Sequence, residues 1–336
     1  MTTSEQQKLD QTTPYADLTP DLILDAIDQT GFSTSGSLLA LNSYENRVYQ
    51  VGLLDGNFLV AKFYRPGRWS DVTIQEEHDF ALELAEQEIP VVAPLADTTG
   101  HTLRHYQGYR FALYPRRGGR SPELDDPEHL RWLGRMLGRM HNVGSIHQFQ
   151  HRPTLNIQTF GQDAVAFVLE QGFVPSELSH NYRQACEVLL EQVTTSFEIV
   201  GPYRTLRLHG DCHPGNILWT ESGPHFVDLD DCINGPAIQD LWMLLSGTQD
   251  DMRRQLNILL EGYNTFFNFD PLELTLLESL RALRLLHYSA WLARRWHDPA
   301  FPQAFPWFNT PRYWEDQLNT LREQAERLQS PPLTLS

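Results

Sequence analysis

The chain has 336 residues and a formal net charge of −17, with 41% hydrophobic residues and three cysteines. So acidic a surface repels nucleic acid and anionic membrane, which both ask for a basic footprint, and no run of about eighteen apolar residues offers a membrane span. The length exceeds a usual single domain, so two lobes are expected; the polar start lacks a signal-peptide core, and an odd set of scattered cysteines fits reduced thiols in a cytoplasm.

Residues 1–18 are polar and read as a disordered tail. Thr19-Pro20 then opens a helix, with the hydroxyl as N-cap and proline at the first helical position, and Gly31 closes it. Strand signals follow at Leu38–Leu41, Arg47–Val51 and, after an Asp55-Gly56 turn, Phe58–Tyr64, which together predict an antiparallel meander. Lys62 falls inside the third strand: either it lies at a sheet edge with its stem snorkelling, or it is aimed at a fixed anion. The helix expected from Ser70 to Glu88 carries adjacent acids at Glu76 and Glu77, one of which could hold the lysine toward phosphate. A strand at Tyr109–Tyr114 ends this first lobe, residues 19–114, and residues 115–122 read as a connector containing Arg116, Arg117 and Arg120.

Residues 123–330 read as mostly helix. Asp126-Pro127 starts one helix, with Leu130, Leu133, Leu137 and Met140 on a single face and Gly144 beyond its end. Further helical stretches are expected near 177–197, 236–247, 250–267, 271–297 and 311–328, and the aromatic cluster from Trp291 to Trp314 reads as core packing of a loop over helices, with an acceptor-binding wall as the alternative.

Between these helices lies the most informative stretch, His209-Gly210-Asp211-Cys212-His213-Pro214-Gly215-Asn216, which follows a strand-like run at Arg204–Leu208. Ile217–Trp219 and His225–Val227 read as a hairpin turning at Glu221–Pro224 and ending on Asp228, which would bring Asn216 and Asp228 side by side. Phosphoryl transfer asks for a carboxylate that orients the attacking hydroxyl, oxygen ligands for Mg²⁺, and cations against the phosphates. Asp211 fits the first demand; Asn216 and Asp228 fit the second. The acids Asp228, Asp230 and Asp231 crowd together, and clustered carboxylates repel unless a cation is present. A zinc reading of His209, Cys212 and His213 fails on spacing, because Gly210, Pro214 and Gly215 break the helix that would align them. Cys212 and Cys232 flank the acidic residues; a redox pair is one reading, small buried apolar residues the other.

The order of these elements resembles the kinase-like phosphotransferases, the group that holds aminoglycoside, choline and second-type homoserine kinases, whose H-G-D-x-x-x-x-N loop stands here at His209–Asn216. More narrowly, Leu41–Gln50, Val60–Pro66, Phe226–Asp231 and Trp291–Trp296 resemble a branch of bacterial serine/threonine protein kinases of the stress response, with similarity from about Thr19 to Pro332. The resemblance implies an α+β fold with a small antiparallel β-sheet lobe and a larger, mainly helical lobe. It further implies ATP and Mg²⁺ as cofactors, with Lys62 on the phosphates, Glu77 as its partner, Ser43 over the phosphates, Asp211 as proton acceptor, and Asn216 and Asp228 as Mg²⁺ ligands. Asp240 corresponds to a buried helix aspartate that pins the catalytic loop. One departure stands out: the Asn42–Arg47 loop has no G-x-G-x-x-G, so side chains such as Ser43 and Asn46 would have to replace glycine backbone there. The expected activity is an ATP- and Mg²⁺-dependent kinase, acting as a monomer on protein serine or threonine hydroxyls, with autophosphorylation among the expected reactions. The alternatives are a small-molecule kinase of the same fold and a nucleotide-binding pseudokinase, and nothing in the sequence separates a protein acceptor from a small one.

Overall fold

The computed structural model describes residues 13–335. Residues 1–12 of the expected tail lie outside the described residues, while residues 13–18 are packed rather than free. The Tyr15 hydroxyl donates to the backbone oxygens of Glu45 (3.1 Å) and Phe63 (3.3 Å), and Leu18 is buried, because this apolar pair covers the sheet below it. The chain is α+β and divides into two compact units.

The first unit runs to Ser121 and takes in Ile217–Asp230 and His297–Ala300. It starts with helix α1 (Pro20–Asp28), whose Thr19 hydroxyl accepts from the Leu22 N–H, as the threonine-proline pair predicts. Strands β1 (Thr34–Ala40), β2 (Arg47–Leu53), β3 (Phe58–Phe63), β4 (Arg104–Tyr106) and β5 (Tyr109–Pro115) form one antiparallel sheet in the order β1-β2-β3-β5-β4. Strand side chains alternate between faces, so Leu59, Ala61 and Phe63 point one way, into a core with Ile23, Ile27 and Phe111. Lys62 and Tyr64 point the other way, and Tyr64 packs there with Ile74 of helix α2 (Asp71–Glu86). The expected meander is present, but β3 is the central strand, so the edge reading of Lys62 falls. Strand β4 was not expected; three residues, half-buried at the ends and exposed in the middle, leave too little periodicity to read.

The second unit comprises Pro122–Asn216, Asp231–Trp296 and the chain from Phe301 onward. Helix α3 (Pro127–Gly144) begins where Asp126 caps it and buries Leu130, Leu133, Leu137 and Met140. Helices α4 (Asp163–Glu170), α5 (Ser176–Val200), α6 (Ile238–Trp242), α7 (Gln249–Tyr263), α8 (Leu277–Arg295), α9 (Ala300–Ala304) and α10 (Pro311–Gln329) follow in the chain. The stretch expected as one helix over 271–297 opens as a 3₁₀ turn, Pro271–Leu276, whose start Asp270 caps. Two short strands, β6 (Leu206–Leu208) and β9 (Ile233–Gly235), pair in this unit, whereas the hairpin β7 (Ile217–Thr220) and β8 (Gly223–Phe226) belongs to the first. That hairpin is hooked to the first unit by backbone hydrogen bonds from the Val92 N–H to the Phe226 oxygen and from the Arg120 N–H to the Trp219 oxygen. No helix among the described residues is long and apolar enough to cross a membrane.

Helices α3 and α7 touch backbone to backbone. At Gly134 an added Cβ would overlap the Leu259 carbonyl oxygen, which cannot retreat as a side chain could. Gly134→Ala is therefore expected to destabilise the helical unit by about 2–3 kcal/mol, the usual scale of overpacking, read as a lower urea midpoint. An unchanged midpoint would contradict this packing.

Candidate active site

In the first unit the sheet delivers Lys62 to the α2 face, where it is 6% exposed. Its ammonium meets Glu77 at 3.2 Å, Asp228 at 3.1 Å and Asp230 at 3.1 Å, and sits 5.1 Å from the Tyr64 ring centre. Burial alone would drive the proton off, but Asp230, Glu77 and Asp228 overcome it and hold the ammonium well above its ordinary pKa. Of the two acids the sequence offered, the structure uses Glu77, which is 3% exposed, while Glu76 is half-buried one position round the helix. Arg68 also pairs with Asp230, so part of the carboxylate crowding is answered by side-chain cations that the sequence did not reveal. Asp228 follows β8 with φ +59°, a conformation that costs a non-glycine residue on the order of 1 kcal/mol, and its side chain is 55% exposed.

The Asn42–Arg47 loop departs in part from expectation. Ser43 lies half-buried between β1 and β2, but Asn46 is buried and its carboxamide oxygen accepts the Arg65 N–H at 3.0 Å. Asn46 is thereby committed to holding the loop, with its acceptor already used. Beside it, Arg65 reaches Asp298 at 2.7 Å.

In the second unit the His209–Asn216 loop leaves β6 and is gripped from below by Asp240 of α6, fully buried. The Asp240 carboxylate accepts the His209 N–H at 2.9 Å and the Gly210 N–H at 2.8 Å. His141 Nε2 lies 3.1 Å away, and its Nδ1 is 2.7 Å from the Tyr263 hydroxyl. A carboxylate only accepts, so the Nε2 proton faces Asp240, while the Tyr263 hydroxyl holds the other side of the ring. Gly210 has φ +82°, and a Cβ there would overlap the Asp231 carbonyl oxygen, so this corner requires glycine.

The grip turns Asp211 outward, its side chain 23% exposed. Arg284 donates to it at 2.8 Å, and His213 Nε2 lies 3.5 Å away. Burial pushes the Asp211 carboxyl up, but the hydrogen bond with His213 and the charges of Arg284 and His213 outweigh it and hold the group far below the usual carboxylate range. The Asn216 amide nitrogen donates to the Asp211 backbone oxygen at 3.0 Å, which fixes which end of the amide is which. Its oxygen carries no hydrogen bond among the described residues.

The donor chemistry can be compared with the metals considered. Asp228 offers a half-exposed carboxylate and Asn216 an unused amide oxygen, both hard donors of the kind Mg²⁺ takes in ones and twos beside phosphates. No group of three or more His, Cys, Asp or Glu suited to a metal occurs among the described residues, and His209 and Cys212 are fully buried, so the zinc reading has no ligand set. Cys212 and Cys232 are both buried, and burial pushes the Cys212 thiol well up, as in a small apolar residue rather than a reactive one.

Two stability predictions follow from the support beneath the loop. Asp240→Ala strands two buried backbone N–H groups and a histidine, and is expected to cost about 3–5 kcal/mol in unfolding free energy. Retention of wild-type stability would refute the grip. Glu273, 2% exposed, accepts the Ile238 N–H that opens α6 at 2.9 Å. Burial pushes its carboxyl up from 4.5 to about 7 against that hydrogen bond, with Asp270 adding to the rise. A raised folded-state pKa favours the fold below the unfolded value and loses that advantage as pH climbs. Stability should thus fall between pH 4.5 and about 7, on the order of 3 kcal/mol, and Glu273→Gln should flatten the slope in pH-dependent denaturation.

Comparison with known proteins bears on this arrangement. Residues 37–277 match the model of the phosphotransferase enzyme family. The chain is 47% identical over 322 residues to stress response kinase A of Escherichia coli (strain K12), covering 96% of this chain and 97% of that one. It is 46% identical, with the same coverage, to the serine/threonine protein kinase RdoA of Salmonella typhimurium. Among solved structures, an amicoumacin kinase in complex with AMP-PNP, Ca²⁺ and Ami superposes with a TM-score of 0.73 at 18% identity, covering 98% of this chain and 97% of that one. A spectinomycin phosphotransferase follows with 0.66 at 14%, covering 92% and 98%, and both likenesses are of fold. With the matched region spanning the lysine strand, the His209–Asn216 loop and the Asp240 helix, the chain belongs to the phosphotransferase enzyme family and is a kinase.

Proposed function

We propose that the chain is an ATP- and Mg²⁺-dependent kinase that transfers the γ-phosphate to serine and threonine hydroxyls of proteins, in a bacterial stress response and in the cytoplasm. The observation that carries this reading is the buried Lys62 ammonium, kept charged by Glu77 and two aspartates, one of them half-exposed. An ammonium buried at such cost, with more carboxylates than it can neutralise, suits a site completed by a nucleotide and a divalent cation. A protein acceptor is supported by the 46% identity to a relative named a serine/threonine protein kinase.

Each side chain then has a task. Lys62 contacts the α- and β-phosphates, Glu77 fixes its position, and Ser43 lies over the phosphates. Asp211 orients the acceptor hydroxyl and takes its proton as the new oxygen–phosphorus bond forms and ADP leaves. Being ionised throughout the neutral range, Asp211 is always ready to accept, while its ties to Arg284 and His213 make it a weak base that acts late. Asn216 and Asp228 offer their oxygens to Mg²⁺, which when bound neutralises charge developing on the β- and γ-phosphates.

Radiolabel from the γ-phosphate of ATP should appear on protein serine or threonine, including sites of the kinase itself. Asp211→Asn is expected to bind ATP almost normally while losing about 10²–10⁴-fold in turnover, and Asp228→Ala to lose the Mg²⁺ dependence of nucleotide binding. Undiminished turnover in Asp211→Asn would remove it from the mechanism. Label confined to a metabolite panel would favour a small-molecule kinase of the aminoglycoside, choline or homoserine type, and nucleotide binding without any transfer a pseudokinase.

A further inference from the structure

The helical unit holds a cleft of about 460 Å³, joined to Asp211 through Arg284. Trp242 of α6, Arg281, Arg284 and Tyr288 of α8, and Glu323 and Arg327 of α10 line it. Its lining shows three guanidiniums and one carboxylate, in a chain with 26 Lys and Arg against 43 Asp and Glu, because Glu278 and Asp211, the partners of Arg281 and Arg284, are not part of the lining. Guanidinium N–H groups therefore set the character of the exposed wall.

The cleft shows guanidiniums and keeps their partners out of sight. Arg281 pairs with Glu278 at 2.8 Å, and Gln324 donates to Glu278 at 2.8 Å, yet Glu278 is not part of the cleft wall. Arg281 also lies 5.4 Å from the Trp242 ring centre, which fixes the plane of its fork. Arg327 is exposed and has no carboxylate partner among the described residues. Its charge is felt at Arg281, whose pKa burial lowers first, Glu278 raises and Arg327 lowers again. Arg284 joins the two features directly, since it lines the cleft and donates to the oxygen of Asp211 at 2.8 Å.

We propose that this cleft is the acceptor subsite of the kinase and that it selects a serine or threonine flanked by acidic residues; the assignment rests on the reading of Asp211 given above. Along α8, Arg281 and Tyr288 are separated by about 10 Å at 1.5 Å per residue, the span of about three extended peptide residues. Anionic side chains one to three positions from the phosphorylated hydroxyl therefore fall within reach of Arg281 and Arg327, and Tyr288 and Trp242 supply apolar faces for the peptide stem. An amine-bearing acceptor, such as an amino sugar or a quaternary ammonium alcohol, would meet like charge.

The test separates binding from turnover. Fluorescein-labelled full peptides Glu-Glu-Ala-Glu-Glu and Lys-Lys-Ala-Lys-Lys are titrated with the intact protein by anisotropy at low salt, alongside the double variant Arg281→Gln/Arg327→Gln. The acidic peptide should bind at least tenfold more tightly than the basic one, and the double variant should lose about tenfold for each arginine removed, the scale of one charge-assisted hydrogen bond. The serine versions should then accept label from ATP in the same order, with the loss in the variant appearing in KM more than in kcat. Equal binding of the two peptides by wild-type protein overturns the proposal without reference to any variant's folding. So does label passing to glycerate but to neither serine peptide. Tight, arginine-dependent binding of the acidic peptide with no transfer to any acceptor would uphold the anionic groove while sinking the kinase reading.

Discussion

A fully buried carboxylate, Asp240, decides how the His209–Asn216 loop runs. Carrying a charge into the interior is expensive, and the expense is offset only if every lone pair finds a donor. Here the donors are consecutive backbone N–H groups of the loop and a histidine that is itself fixed by Tyr263. The dependence is mutual: the loop's N–H groups would otherwise be buried without partners, and the aspartate would otherwise be a buried, unpaired charge. Gly210 makes the corner that lets both be satisfied, and Asp211 emerges from it already aimed. Orientation of Asp211 is thus settled by folding energy.

The first unit solves a related problem with the opposite sign. Lys62 is buried between a central strand and a helix, and three carboxylates keep it charged. Asp230 is shared with Arg68, and Asp228 is left partly in solvent. The group of acids is therefore divided by task. Glu77 and Asp230 are enclosed and set the position of the ammonium, while Asp228 retains an oxygen surface that solvent, or a cation, can reach.

Much of this was legible because the signals are local. Thr19-Pro20, Asp126-Pro127 and the alternation around Val60–Tyr64 name their structures by capping and periodicity. What escaped was non-local. Two adjacent acids cannot encode which side of α2 meets the sheet, so Glu77 rather than Glu76 was legible as the Lys62 partner only through the family resemblance, and the structure pairs them. Arg284 lies 73 residues from the aspartate it touches, and its helix pattern reads as an ordinary amphipathic face. The failure with Asn46 is of another kind: a polar residue in a phosphate-loop position looked available, and burial had already assigned its oxygen to the Arg65 backbone. The short strands β4 and β9 exist because neighbours complete them, and no period of two can show in three residues.

The left-handed backbone at Asp228 has a consequence for how this family member can change. Glycine is the residue that such a torsion favours, and it would relax the main chain there at little steric cost. Yet it would strip away the oxygen that faces Lys62. Backbone ease and the contact with Lys62 therefore ask for different residues at this one position, and the chain carries the aspartate.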